Sequence, residues 1–455
     1  MLELLPIFLF AAICLCLMLG FPVAFTLGGT ALLFAGFGIT QGIFAPGFLL
    51  ALPDRVFGIV QNSTLIAVPL FVLMGVLLEK TRIAETLLTN MAQLLGRTPG
   101  GLGISIVLVG ALLAASTGIV GATVVTMGLI SLPAMLKHRY DPALATGTIC
   151  ATGTLGQIIP PSIVLVLLGD ILSNAYHQAQ ISMGVLSPKS ISVSDLFVGA
   201  IIPGFMLVFF YIAYIATRAL LNRNLAPPVD RQDALPVSTI LRSLLPPFLL
   251  IVLVLGSILG GAATPTEAAG IGAFGAAILA LLQGSLDRKT LWESLHATLN
   301  ITSMVFMILL GAALFSLVFR GFGGDTLVQG FFHSLPGGKY SAIAIVMVVV
   351  FLLGFILDFI EITFVVVPIV GPILLMMGID PVWLGILLAV NLQTSFLTPP
   401  FGFALFYLRG VMPDSIPTST LYRGVLPFIL IQLGVLLLVI AIPELATWLP
   451  SLLLK

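Results

Sequence analysis

Charge is scarce in this chain. Of 455 residues, 18 are Lys or Arg and 18 are Asp or Glu, only 8% in all, and the formal net charge is zero. Soluble domains carry about a quarter of their residues as charges, so a water-soluble fold of this length is excluded. Without a basic excess there is also nothing to attract nucleic acid or an anionic surface. Cysteine is nearly absent, at Cys14, Cys16 and Cys150, which makes no disulfide framework and no thiolate metal site. The four histidines, His138, His177, His296 and His333, lack metal-ligand spacing. No GxxxxGK[ST] occurs, so ATP binding through a P-loop is excluded, and pumping must draw on an ion gradient or a partner.

What fills the space is apolar: 59% of the chain, with 46 Gly and 29 Pro set within it. A hydrocarbon core of about 30 Å needs roughly 20 helical residues per crossing. Runs of that kind lie near 3–20, 22–39, 62–78, 142–169 and 197–217, and again near 244–262, 266–284, 299–319, 382–409 and 424–442. The first, with Glu3 ahead of it and Phe21-Pro22 where a cleavage site would be expected, reads as a retained helix. Two longer stretches, 101–136 and 340–377, are interrupted in the middle and read as re-entrant hairpins. The fold class is therefore an all-α polytopic membrane protein.

Self-comparison organises it. A shift of 239 residues places Pro133 on Pro372, Asp141-Pro142 on Asp380-Pro381 and Pro160-Pro161 on Pro399-Pro400, and Pro99 finds its counterpart at Pro336. The chain divides into a first repeat, 1–217, a polar linker, 218–243, and a second repeat, 244–455. Five crossings per repeat is odd, so the repeats have opposite orientations. With both hairpins returning to their own side, Lys80, Arg82, Arg97, Lys137, Arg139, Arg218, Arg223, Arg231, Arg242, Arg288, Lys289, Arg409 and Arg423 share one face. Arg55, Lys189, Arg320, Lys339 and Lys455 share the other. The positive-inside rule makes the larger group and the linker cytoplasmic and both termini periplasmic. Segments 79–98 and 286–298, charged at helical spacing, are expected along the membrane interface, and 172–194 reads as a long loop. Thr264-Pro265-Thr266-Glu267 reads as a helix start, with Glu267 structural.

Inverted repeats with breaks at matching positions are a signature of secondary transporters. The first hairpin centre holds Ser116, Thr117, Gly118 and Thr123, and the crossing after it breaks at Thr152, Gly153, Thr154, Gly156, Pro160 and Pro161. The second half has Asp358, Glu361 and Thr363 in the hairpin, then Asn391, Gln393, Thr394, Ser395, Thr398, Pro399 and Pro400 in the crossing. Half-helix N-termini offer amides to carboxylates, and unwound carbonyls and hydroxyls suit Na⁺. Gly, Ser and Thr also serve simply to pack membrane helices closely. Asp358 and Glu361 sit at a depth where ionisable groups are costly and functional by default, as Na⁺ ligands, as a protonatable pair or as partners to buried donors. Their first-half counterparts are Ile119 and Ala122, so this feature is asymmetric.

The runs Gln61–Gly75, Gly118–Thr126, Gly153–Ser162, Gly261–Ala273, Leu353–Asp358, Asn391–Gly402 and Tyr422–Phe428 resemble the large membrane subunit of TRAP, the tripartite ATP-independent periplasmic transporters. The resemblance implies Na⁺ as coupling ion and uptake of organic acids handed over by a periplasmic substrate-binding protein in the bacterial inner membrane. It also implies an elevator-like movement of the hairpin core and a separate small four-helix membrane subunit. An autonomous Na⁺- or H⁺-coupled anion symporter of the related superfamily is the alternative. An intramembrane enzyme fits less well, because an acid pair on one short turn is a poor mimic of facing catalytic carboxylates.

Overall fold

The computed structural model describes residues 4–81, 83–96, 98–118, 120–228 and 237–454, and of residues 84, 115–117 and 237–243 only the backbone. Glu3, Arg82, Arg97, Ile119, Arg231 and Lys455 lie outside the described residues, as do the side chains of Ser116, Thr117 and Arg242.

The described residues form helices and connecting turns, with no strand among them. Before the linker these are α1 (Leu5–Met18), α2 (Val23–Thr40), α3 (Leu52–Gln61), α4 (Ala67–Lys80), α5 (Ile83–Leu95), α6 (Gly101–Thr117), α7 (Val120–Lys137), α8 (Pro142–Thr154), α9 (Ile163–Ser182) and α10 (Val193–Leu221). After it come α11 (Val237–Leu259), α12 (Pro265–Leu282), α13 (Arg288–Gly321), α14 (Gly324–His333) and α15 (Gly338–Leu353). Then α16 (Phe359–Glu361) runs through π-helical Ile362–Val366 into α17 (Val367–Met376), followed by α18 (Pro381–Leu397), α19 (Phe403–Val411), α20 (Thr418–Ala441) and α21 (Glu444–Leu453). Eight helices among the described residues are long and apolar enough to cross a membrane, and shorter apolar helices such as α1, α15 and α18 accompany them.

Two segment extents differ from the sequence expectation for one physical reason. Residues 288–298 are not a separate segment but the first turns of α13, a single helix of 34 residues. No Gly or Pro interrupts the chain from Arg288 to Leu310, and Lys289 and Glu293 pair one turn apart at 3.9 Å. Polarity alone does not stop a helix. Likewise 172–194 is not all loop, because α9 continues to Ser182 and ends only where Gly184 turns with φ +75°. Segment 83–95 does form its own helix, packed on α6 and α11.

At the centre lie α8 and α18, buried throughout from Leu144 to Thr154 and from Pro381 to Leu397. Both begin alike. Asp141 accepts the Leu144 N–H and Asp380 the Trp383 N–H, each at 2.9 Å, and Pro follows each as the first helical residue. That is the arrangement a helix start favours, since proline has no N–H to leave unpaired. α20 crosses α8 so closely that a Cβ on Gly147 would overlap the Gly424 carbonyl, and one on Gly424 the Ala143 carbonyl. Without a hydrophobic force between helices in lipid, such small-residue contact is what dispersion requires. Thr264 and Glu267 form a reciprocal cap at the start of α12, the structural role expected of Glu267.

α13 packs along α2 and α4 and serves as a ruler. At its start Glu293 meets Lys80 at the end of α4, 3.5 Å away. At its end Arg320 donates to Gln178 of α9 at 3.2 Å and pairs with Asp325 of α14 at 3.2 Å. A helix of this length spans about 50 Å at 1.5 Å per residue, long enough for its two polar ends to reach opposite sides of a bilayer. Elsewhere, Gly100 and Asp141 donate their N–H groups to Ala226 and Leu225, just past α10, tying the starts of α6 and α8 to the chain that enters the linker. Exposed Leu33, Phe205, Phe209, Phe274 and Leu430 give the perimeter its apolar surface.

Candidate functional site

The first break begins where α8 ends at Thr154. A 3₁₀ turn, Leu155–Gln157, leads through Pro160 and Pro161 to α9. The Ser162 hydroxyl donates to the Gly156 and Gln157 carbonyls at 2.8 and 3.1 Å, replacing partners the helix no longer provides. Against this break lies the tip between α6 and α7. Gly118 turns there with φ +60°, and a Cβ on it would stand 3.0 Å from the Ile163 nitrogen, so a glycine is needed both for the turn and for the approach. Gly153 packs on Val124 of α7, and Gly156 on Ala114 of α6. Thr123 is buried.

The second break is shorter than the sequence suggested. α18 stays helical through Asn391, Gln393, Thr394 and Ser395, and the chain leaves it only at Thr398, to restart at Phe403. Both Pro-Pro bonds, Pro160–Pro161 and Pro399–Pro400, are cis. Asn391 and Ser395, one turn apart, donate to the Met347 and Phe351 carbonyls of α15, each at 2.8 Å. These two side chains fasten α18 to α15. Thr394 and Thr398 donate to carbonyls one turn back, Val390 at 2.8 Å and Thr394 at 2.7 Å. Their oxygens keep lone pairs free to accept.

Thr154 and Gln393 are 239 residues apart, the same shift that aligns the two Pro-Pro doublets, and they touch: the Gln393 amide donates to the Thr154 hydroxyl at 3.3 Å. Gln432 of α20 donates to the same hydroxyl at 3.2 Å and to the Tyr211 hydroxyl of α10 at 2.8 Å. All four side chains are buried. Around them, the Thr152 hydroxyl, both polar atoms of Gln157 and the side-chain oxygens of Gln393 and Gln432 are buried without a hydrogen-bond partner, as is the Thr363 hydroxyl in the second hairpin. Leaving one such group unpaired costs roughly 1–3 kcal/mol, and of these only Gln157 lies in a break, the others being on α8, α18, α20 and the second hairpin. Gln432, Tyr211 and Gln157 were not singled out in the sequence. A lone Gln inside the apolar run of α20 was the available signal.

Asp358 and Glu361 meet at the start of α16. Glu361 accepts the Asp358 N–H at 3.1 Å, and Asp358 accepts the Phe359 N–H at 2.6 Å. Partnering these buried donors is thus one role they fulfil. Among the described residues no Lys, Arg or His lies within ion-pair distance of either acid. Two neighbouring carboxylates in a low dielectric demand a cation or a proton. No cluster of three His, Cys, Asp or Glu residues that could hold a metal occurs among the described residues. The donors here are instead hydroxyl, amide and carboxylate oxygens, which suit a hard monovalent cation such as Na⁺ rather than zinc or copper.

Against this geometry the comparisons can be set. Residues 10–445 match the family model described as the tripartite ATP-independent periplasmic transporter, DctM component. The C4-dicarboxylate TRAP transporter large permease protein DctM of Pseudomonas aeruginosa is 30% identical over 420 residues, 91% of this chain and 92% of that one. The sialic acid TRAP transporter large permease protein SiaM of Vibrio cholerae is 28% identical, covering 95% of each. In Oleidesulfovibrio alaskensis an isethionate TRAP transporter permease protein, DctMQ, is 28% identical and covers 96% of this chain, which spans 65% of it. Among solved structures, the Alcanivorax borkumensis YdaH transporter superimposes with a TM-score of 0.63 at 17% identity, over 98% of both chains. At that identity the likeness concerns the fold.

Proposed function

The chain belongs to the DctM component family of the tripartite ATP-independent periplasmic transporters, a transporter permease subunit and not an enzyme, and on that premise we propose that it couples Na⁺ entry to import of an organic carboxylate. A periplasmic binding protein delivers the substrate, and a separate small membrane subunit completes the complex. The carrying observation is the contact between Thr154 and Gln393. Equivalent positions of two inverted repeats can meet only on the axis that relates them, and substrate and ion sites of such transporters lie at that interface.

Thr152, Thr154, Gln393 and Thr398, with Thr363, Asp358 and Glu361, would hold Na⁺, while Asn391 and Ser395 position α18 by gripping α15. Thr123, Ser116 and Thr117 belong to the first hairpin's share of the site, and Gly118, Gly153 and Gly156 allow its backbones to approach. The Pro160-Pro161 and Pro399-Pro400 doublets keep the crossings broken, freeing backbone groups to face ligand. Na⁺ supplies positive charge beside Asp358 and Glu361, without which an incoming carboxylate would be repelled. That requirement is the physical basis of coupling. α6 to α10 and α15 to α20 would move as one body against a scaffold of α1, α2, α4, α11, α12 and α13. The end of α13 at Arg320 would face the periplasm and the end at Glu293 the cytoplasm, the side richer in basic residues. Both termini would be periplasmic.

The test is thermal unfolding of the purified chain in NaCl against equal KCl. Selective stabilisation by Na⁺, lost in Asp358→Asn, is expected. Equal curves in both salts would refute Na⁺ binding at this site.

A further inference from the structure

Arg55 and Arg320 come from segments 265 residues apart, yet they line one cavity of about 590 Å³ at the C-terminal end of α13. Asn62, Asp170, Asn174, Gln178 and Ser316 supply the rest of its polar wall, and Phe364 of the second hairpin closes part of it. The volume falls within the roughly 300–1,000 Å³ of small-molecule sites. A docked protein surface needs a broad, shallow face instead. Arg320 is held in place by Asp325 and Gln178. Asp170 accepts from the Asn62 amide at 2.9 Å. Arg55, half-buried, has no hydrogen bond or ion pair with any described residue. Burial, and then the charge of Arg320 beside it, hold its guanidinium below the usual value. Asp325 neutralises Arg320 and also acts on Arg55, so the guanidinium left without a hydrogen bond or ion pair of its own is that of Arg55. A guanidinium is built to receive a carboxylate through two parallel N–H bonds.

We propose that this cavity is a second binding site for a small organic carboxylate, gripped by Arg55 and Arg320, distinct from the breaks around Thr154 and Gln393. Its walls come from α3 and α13 on one side and from α9 and the second hairpin on the other. A bound anion would therefore bridge the two bodies proposed above to move. The site's role as an antechamber rests on the transport reading, whereas its existence does not.

The experiment uses the purified full-length chain, with phenylglyoxal modification of each arginine followed by peptide mass spectrometry. Probes are acetate, succinate and 2-oxoglutarate, with succinamide as the uncharged control. Carboxylates at millimolar concentration are expected to slow modification of Arg55 and Arg320 severalfold, with Arg218 and Arg423 unaffected and succinamide without effect. Arg55→Gln, which removes no hydrogen bond or ion pair with a described residue, should weaken protection of Arg320 about tenfold, the order expected of a hydrogen bond to a charged group. Arg55→Lys should restore part of it. Protection absent with all three carboxylates, or uniform over all arginines, overturns the proposal, as does protection given only by a periplasmic binding protein. Na⁺-dependent stabilisation measured in parallel separates the two readings. Its loss with protection intact would refute coupling alone, and the reverse would refute only this site.

Discussion

Replacing Thr154 by Val keeps the shape of the side chain and removes the hydroxyl on which two halves of the protein converge. Gln393 then loses the one described bond of its amide, while Gln432 retains Tyr211. In water-soluble proteins an orphaned buried donor costs about 1–3 kcal/mol. Between membrane helices the measured average is nearer 0.6 kcal/mol per bond, with a maximum of about 1.7. Both bonds that the hydroxyl accepts are lost, at a cost of about 1–2 kcal/mol, with Gln432 keeping one partner in Tyr211. Thr154→Ser keeps the hydroxyl and loses a methyl group, about 0.8 kcal/mol. The sharper expectation concerns the pair. Adding Gln393→Leu to Thr154→Val removes the orphan together with its unpaired oxygen, so the double variant should be more stable than Thr154→Val alone. Unfolding in mixed micelles can be followed by the fluorescence of Trp383, which is buried in α18 with its indole N–H donated to Val439 at 2.7 Å. Simple additivity of the two changes would refute the claim that these residues form one buried unit.

Other expectations follow from the packing. Asp141→Ala and Asp380→Ala should each cost about 1 kcal/mol through loss of a helix cap, and the two losses should add, as measured in the same unfolding assay. Gly147→Ala or Gly424→Ala forces backbone apart and should destabilise by about 1–3 kcal/mol or more. Gly36→Ala in α2, where a Cβ meets nothing, should be neutral or gain up to about 1 kcal/mol by helix propensity. Glu361→Gln retains an oxygen to accept the Asp358 N–H, so fold and stability in KCl should be kept while the added stability in NaCl falls.

Much of the site was legible because its signals are local. Asp-Pro at 141 and 380 announces a helix start, and Pro-Pro at 160 and 399 announces its failure, wherever the segment lies in space. Asp358 and Glu361 stood out against an apolar background. The contacts of Gln432 and Tyr211, or of Arg55 with Arg320, have no local mark. Each residue meets its partner only after helices distant in sequence have packed. The extents of α9 and α13 differ from the sequence expectation because polar residues do not bound a helix, whereas Gly, Pro and capping do. Asn391 and Ser395 match the pattern of ligand-bearing residues, and their donated bonds to α15, which leave their oxygens able to accept, have no local mark either.

The account stands most directly on uptake of a radiolabelled organic acid into proteoliposomes holding this chain and its small membrane partner, with the cognate periplasmic binding protein outside. Accumulation is predicted only when an inward Na⁺ gradient and the binding protein are both present. Equal uptake without Na⁺, or uptake by this chain alone, would contradict it.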